Sequence, residues 1–209
     1  MFEKPIVMLD FETTGLSPAM GDRITEVAAL RIVGGRIVDR YVSLVNCGVR
    51  VPYFITQLTG ITQSMVNSAP SSIAVMPELL RFIGTDALAA HNASFDLKFL
   101  LAESERVGMI PAHERLICSL KLSRRIFPGL PSYKLGTLAS TLGIPFSGTA
   151  HRAEADAEVS ANLLIHIAEH LGRTYRLSSI DPSLFECLNK ISAIKVPDYL
   201  HRQIAPAGA

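Results

Sequence analysis

Cysteine is scarce. Cys47, Cys118 and Cys187 are the three in 209 residues, far apart and odd in number, with no CxxC pair. That spacing excludes a disulfide framework and a structural zinc site built on paired cysteines, and the expected state is reduced, mostly buried thiols. An excess of charge is lacking too. Twenty Lys and Arg stand against nineteen Asp and Glu, a formal net charge of +1, which excludes a general polyanion binder. Any hold on nucleic acid must be local and carried partly by metal ions. Long apolar runs are absent: none approaches the ~20 residues of a membrane span. The N-terminal MFEKPIVMLDFE has a few apolar residues and then two acids, and does not read as a signal peptide. The expectation is a soluble, cytoplasmic protein. What the chain has is apolar bulk, 48% hydrophobic residues against 19% charged. That suits a real core, one domain and a short extra segment.

Hydrophobic patterning outlines that domain. Pro5 to Leu9 reads as a short buried strand ending at Asp10. Ile24 to Val33 and Arg36 to Val45 are two β-rich runs on either side of Gly34-Gly35, which signals an antiparallel hairpin. Residues 46–69 read as loop plus a short helix. Pro70 to Ile83 reads as a helix stopped by Gly84, Ala87 to Ala90 as a buried strand, and Ser94 to Val107 as an amphipathic helix stopped by Gly108. A short strand at Arg115 to Cys118 and a helix at Ser119 to Phe127 follow. Next come a helix at Ser132 to Leu142 capped by Ser132, and a long helix from Ala153 to Leu171 ending at Gly172. Residues 173–209 read as a tail with one helix, Pro182 to Ile191, and a frayed end. Strands first, then alternating helices and strands, predict an α/β layered domain with a mixed sheet and helices on both faces.

Three acidic clusters sit at element ends. In Asp10-Phe11-Glu12 the alternation of a strand turns both carboxylates to one side and Phe11 to the other. Two adjacent carboxylates resist ionising together, and a hard divalent cation such as Mg²⁺ or Mn²⁺ relieves the repulsion. Thr13-Thr14-Gly15 follows at once, either as an ordinary turn or as a place where a ligand backbone approaches closely. The second cluster, His91-Asn92-Ala93-Ser94-Phe95-Asp96, lies where a buried strand passes into a helix, the end of α/β sheets at which ligands gather. In the third, His151-Arg152-Ala153-Glu154-Ala155-Asp156, Asp156 is about one turn into the longest helix and His151 hangs from its lead-in. A neutral histidine so placed can take a proton from water near neutral pH. Each cluster alone has a plain structural reading, as a strand end, a helix cap or a core histidine. Their weight lies in arriving together, in the order D-x-E, H-N-x-x-F-D, H-R-A-x-x-D. Lys121, Arg124, Arg125 and Lys134 form a locally basic stretch, read first as a solvated helix face and alternatively as a holder of backbone phosphates.

These segments, DFETTGL, HNASFD and HRAEAD, resemble the DEDDh group of 3′–5′ exonucleases. The particular likeness is to the proofreading epsilon subunit of bacterial DNA polymerase III and its stand-alone relatives. The resemblance runs from about residue 5 to residue 171 and includes Leu58-Thr59-Gly60-Ile61-Thr62 and Leu130-Pro131-Ser132-Tyr133-Lys134-Leu135. It implies a ribonuclease-H-like three-layer fold over residues 1–172, with 173–209 as a helical extension, and two Mg²⁺ or Mn²⁺ ions. It also implies that Asp10, Glu12 and Asp156 are metal ligands, that Asp96 orients the site, and that His151 is the general base. Thr13, Thr14, Gly15, Ile61, His91, Asn92 and Phe95 join the substrate-facing set. The implied substrate is a single-stranded or frayed DNA 3′ end, in proofreading or repair, with a polymerase or replication factor as a protein partner. An RNA-trimming enzyme of the same fold and a non-catalytic polymerase- or nucleic-acid-binding subunit are the alternatives.

Overall fold

The computed structural model describes residues 2–146 and 148–204. Its centre is a five-stranded mixed sheet in the order β3-β2-β1-β4-β5. The strands are β1 (Ile6–Thr13), β2 (Ile24–Val33), β3 (Arg36–Leu44), β4 (Ala87–Ala90) and β5 (Leu116–Cys118). β1 pairs antiparallel with β2 on one side and parallel with β4 on the other. The β2–β3 hairpin turns on Gly34 and Gly35, both at positive φ (57° and 79°), the conformation a two-residue hairpin requires.

Helices cover both faces. The helices are α1 (Tyr53–Thr59), α2 (Gln63–Asn67), α3 (Ser72–Ile83), α4 (Ala93–Arg106), α5 (Ser119–Ile126), α6 (Leu135–Thr141), α7 (Ala153–Tyr175), α8 (Pro182–Lys190) and α9 (Val196–Ile204). One core layer joins Val7, Leu9, Phe11 and Val27 of the sheet to α3 and α4. The other joins Ile6, Met8, Ala28 and Leu30 to α5 through α9, with α7 contributing most of its apolar stripe. Alternation along β1 explains how one strand feeds both layers. A small separate cluster of Cys47, Val51, Ile55, Ile61 and Val66 packs α1 and α2 together. The three cysteines are free thiols, two of them buried. Among the described residues no helix is long and apolar enough to cross a membrane.

Several boundaries differ from the sequence-based expectation, each for a reason visible in the packing. β1 continues past Leu9 to Thr13, because its pairing with β2 carries on through Glu12 before the register slips. Residues 46–69 hold two short helices rather than one. α6 begins only at Leu135, since Tyr133 ahead of it is held in tertiary contacts: its hydroxyl donates to Phe127 O (2.7 Å) and its carbonyl bonds His91. Ser132 does not cap the helix; its hydroxyl oxygen accepts from the Lys134 N–H (3.2 Å). α7 runs through Gly172 and ends at Arg176 in the left-handed region (φ 54°). A Cβ at Gly172 would just touch the returning Leu177 carbonyl, 3.4 Å away. α9 was not expected, yet its Val196 and Leu200 are buried in the main core beside Phe185 of α8. Residues 205–209, at the end expected to fray, lie outside the described residues.

Candidate active site

The site forms where β1 outruns its parallel neighbour. β4 pairs with β1 only through Met8, so that edge of β1 is free of a strand from Asp10 onward. The first turn of α4 fills the gap, and the buried Asp96 carboxylate accepts the Phe11 N–H that no strand takes. Asn92 permits this turn. It stands ahead of α4 at φ 75°, a left-handed conformation that Asn tolerates better than most residues. Asp10 and Glu12 face the opening while Phe11 is buried in the layer behind. The start of α7 brings Asp156 and His151 over the same opening. One ligand atom each of Glu12, His151 and Asp156 lies within 4.8 Å of the others. His151 is exposed, at φ 61°, and its backbone N–H donates to Asp156 Oδ2 (3.0 Å).

Glu26 of β2 sets the position of that lead-in. It stands opposite Glu12 in the sheet and is buried. Its carboxylate accepts from Arg152 Nη2 (2.5 Å), Arg152 Nε (3.1 Å) and the Ala153 backbone N–H (2.9 Å). α7 has no side-chain cap of its own, so Glu26 supplies an acceptor to its first free amide, that of Ala153, from a different element. Sequence reading did not single out Glu26. The available signal was a lone acid inside the apolar run ITEVAAL, since a carboxylate there has to be paired when buried.

The opening leads into a cleft of about 650 Å³. Asp10, Glu12, Asp96, His151 and Asp156 all line it, as do Thr13, Thr14, Gly15, His91 and Phe95. Ile61 and Asn92 are not among its lining residues. Ile61 is fully buried in the α1–α2 cluster, because its loop folds inward under α1. Asn92 serves the backbone instead. The apolar wall comes from Leu16 and from Phe54 and Leu58, one turn apart on α1 and 64% and 50% exposed. The hydroxyls of Thr13 and Thr14 are already engaged, the first donating to Gly15 O (2.6 Å), the second accepting from the Arg23 N–H (3.0 Å). Gly15 leaves room for the Asp22 carboxylate that accepts the Ser17 N–H; a Cβ there would displace it. His91 has both ring nitrogens occupied, Nδ1 with Ser119 Oγ (3.0 Å) and Nε2 with Tyr133 O (3.1 Å), and burial lowers its pKa.

Electrostatically the cleft is under strain. Five carboxylates line it, from Asp10, Glu12, Asp22, Asp96 and Asp156, and no Lys or Arg does. Burial, reinforced by Asp96, Glu12 and Asp156, drives the Asp10 carboxyl well above the usual carboxylate range. Burial followed by the Asp156 charge pushes Glu12 to about 8. Burial raises Asp96 to about 7 against the lowering effect of its backbone N–H partners. Asp156 is raised for the same first reason, moderated by the His151 N–H. Clustered, desolvated oxygen donors of this kind suit a hard divalent cation.

Fold and site together define a nuclease architecture, and comparison with known proteins gives the family. The exonuclease family profile matches residues 7–164, and the chain belongs to that family. Its fold is the mixed-sheet, ribonuclease-H-like α/β fold of those enzymes. The chain is 33% identical over 175 residues to the DNA polymerase III subunit epsilon of Aquifex aeolicus, covering 84% of this chain and 86% of that one. It is 40% identical over 171 residues to the DNA polymerase III PolC-type protein of Oceanobacillus iheyensis, covering 82% of this chain and 12% of that protein. The chain spans only 12–14% of the first PolC-type proteins it matches. Among solved structures, Exonuclease X in complex with 5′ overhanging duplex DNA superposes with a TM-score of 0.68 at 27% identity, covering 88% of this chain and 99% of that one. E. coli Exonuclease I in complex with a dT13 oligonucleotide shares the fold, with a TM-score of 0.71 at 18% identity over 83% of this chain and 43% of that one.

Proposed function

We propose that the chain is a 3′–5′ exonuclease. It hydrolyses the last phosphodiester of a single-stranded or frayed DNA 3′ end and releases a nucleoside 5′-monophosphate. The observation that carries this reading is the convergence of four desolvated carboxylates from β1, α4 and α7 with His151 at the mouth of an apolar-walled cleft. The likeness to DNA-bound Exonuclease X and to the epsilon subunit supports DNA as the substrate and proofreading or repair as the setting. On this reading the protein works in the cytoplasm, with a DNA polymerase or replication factor as a protein partner. Residues 1–172 carry the catalytic groups, and 173–209 is an extension whose described helices α8 and α9 pack on the same core.

Asp10, Glu12 and Asp156 are the residues that would hold two divalent ions, with Asp96 orienting the site. Bound Mg²⁺ or Mn²⁺ would neutralise the carboxylates and stabilise charge on the attacking and departing oxygens. The chain's own groups do the rest. His151 takes the proton of the attacking water as the new P–O bond forms. The P–O3′ bond to the penultimate nucleotide breaks, and that 3′ oxygen is protonated from solvent. The His151–Asp156 backbone bond and the Glu26 clamp keep the base at its post. Leu16, Phe54, Leu58 and Phe95 receive the terminal base on apolar faces, which tolerate any base.

The test is degradation of 3′- and 5′-labelled single strands, mismatched duplexes and matched RNA, with Mg²⁺, with Mn²⁺ and with a chelator. Expected are release of mononucleotides from the 3′ end of DNA, loss with chelator, and a fall of at least about 10³-fold in Asp10→Ala. Full activity of Asp10→Ala, or digestion from the 5′ end, would overturn the assignment. Faster digestion of RNA would overturn the choice of DNA.

A further inference from the structure

A second cleft, of about 860 Å³, adjoins the first at His151. His91, His151 and Asp156 line both clefts, so the two meet at the reacting centre. Their charge is opposite in character. Five carboxylates and no Lys or Arg line the first; Arg124 and Lys134 line the second, with Asp156 at the junction as its single carboxylate.

We propose that this second cleft holds the phosphates of the substrate strand on the 5′ side of the scissile bond, gripped by Arg124 and Lys134. The inference rests on the exonuclease reading above. A strand cut at its 3′ end has one nucleotide on one side of the reacting phosphate and a polyanionic chain on the other. The acid-lined cleft is fitted to the single nucleotide and repels a run of phosphates, whereas the cationic cleft attracts one. Both cations are exposed and neither forms an ion pair among the described residues. Their supports are built in. The Arg124 guanidinium lies 5.6 Å over the Tyr133 ring, and Tyr133 is fixed by Phe127, Leu130 and His91. Arg125 and Lys121, the other cations of this stretch, are not lining residues of the cleft; Arg125 is spent on the Ile191 carbonyl (2.6 Å).

The experiment compares kcat/KM of the wild-type chain and the Arg124→Ala/Lys134→Ala double variant on a dinucleotide and on a 12-nucleotide single strand, across a salt series. A control removes the same charge elsewhere: Arg36 at the far end of the β2–β3 hairpin and Arg106 at the far end of α4, both to Gln. Expected is a loss on the order of tenfold on the long strand and a much smaller loss on the dinucleotide. The slope of log(kcat/KM) against log salt should become shallower by about 1.4, or ~0.7 per lost phosphate contact on a single strand. The control should keep the wild-type length dependence. Equal losses on both substrates, an unchanged salt slope, or an effect seen only when a complementary strand is annealed would overturn the proposal. A wild-type chain that cuts neither substrate would instead overturn the exonuclease reading beneath it.

Discussion

Ile61 and Phe54 are both apolar residues of one short stretch, and only their surroundings separate them. Ile61 is fully buried among Cys47, Val51 and Ile55. Phe54 and its neighbour Leu58 stand at the cleft, more than half or half exposed. Truncating Ile61 to Ala is therefore expected to cost about 2–5 kcal/mol of stability. The Phe54→Ala/Leu58→Ala double variant should stay within about 0.5 kcal/mol per site in a urea melt. It should nevertheless raise KM for single strands about tenfold, because a base loses its stacking wall. Steady-state kinetics beside the melt separates the two cases; a stable Ile61→Ala protein with a raised KM would return Ile61 to the binding set. The acids were legible in the sequence because strand alternation and helix starts are local facts. Whether a loop residue points inward or toward the cleft depends on where the loop packs, and no local pattern records that. For the same reason the sequence left Thr13-Thr14-Gly15 open between a turn and a ligand approach, and the fold engages both hydroxyls within the loop.

The elements show a similar division. The Gly34-Gly35 hairpin, β4 and the start of α7 were readable because turn chemistry and apolar runs mark them. The extent of β1, the short α6 and the whole of α9 were not, since each depends on a partner distant in sequence. The Glu26 clamp is the case with consequences for activity. It ties β2 to the lead-in of α7 across 126 positions of sequence. Because Arg152 is partly exposed and can turn to water, Glu26→Ala should cost about 1–3 kcal/mol rather than the larger penalty of a fully buried broken pair. Its effect on rate should be greater than its effect on binding. Displacing His151 and Asp156 by an ångström or so should lower kcat by up to about 10²-fold, with KM little changed. Circular dichroism melts, kcat and KM on one variant check this together. A variant with a normal kcat would reduce Glu26 to a stabilising cap.

At the scale of the whole molecule, the acidic cleft is a stored instability that pH and metal should both reveal. Asp96 is raised to about 7 and Glu12 to about 8, with Asp10 and Asp156 shifted the same way. In the unfolded chain these groups release their protons near the ordinary carboxylate pKa of about 4. Between about pH 4 and pH 8 the native state thus binds more protons than the unfolded one, and metal-free stability should fall as pH rises through that window. His91, His113 and His170, whose pKa values burial lowers, work in the opposite sense below about pH 6.5, so the absolute curve mixes both effects. The comparison with Glu12→Gln isolates the carboxylates. Under chelation, the wild-type Tm should drop between pH 5 and pH 8.5 by more than that of Glu12→Gln. Mg²⁺ binds the ionised, native cluster and not the unfolded chain, so it should raise the wild-type Tm more at pH 8.5 than at pH 5. Glu12→Gln should lose most of that rise. Calorimetry on both proteins at the two pH values, with and without Mg²⁺, measures these shifts. Parallel pH curves for the two proteins, or a Mg²⁺ effect equal at both pH values, would mean that the four carboxylates do not act as one coupled cation site.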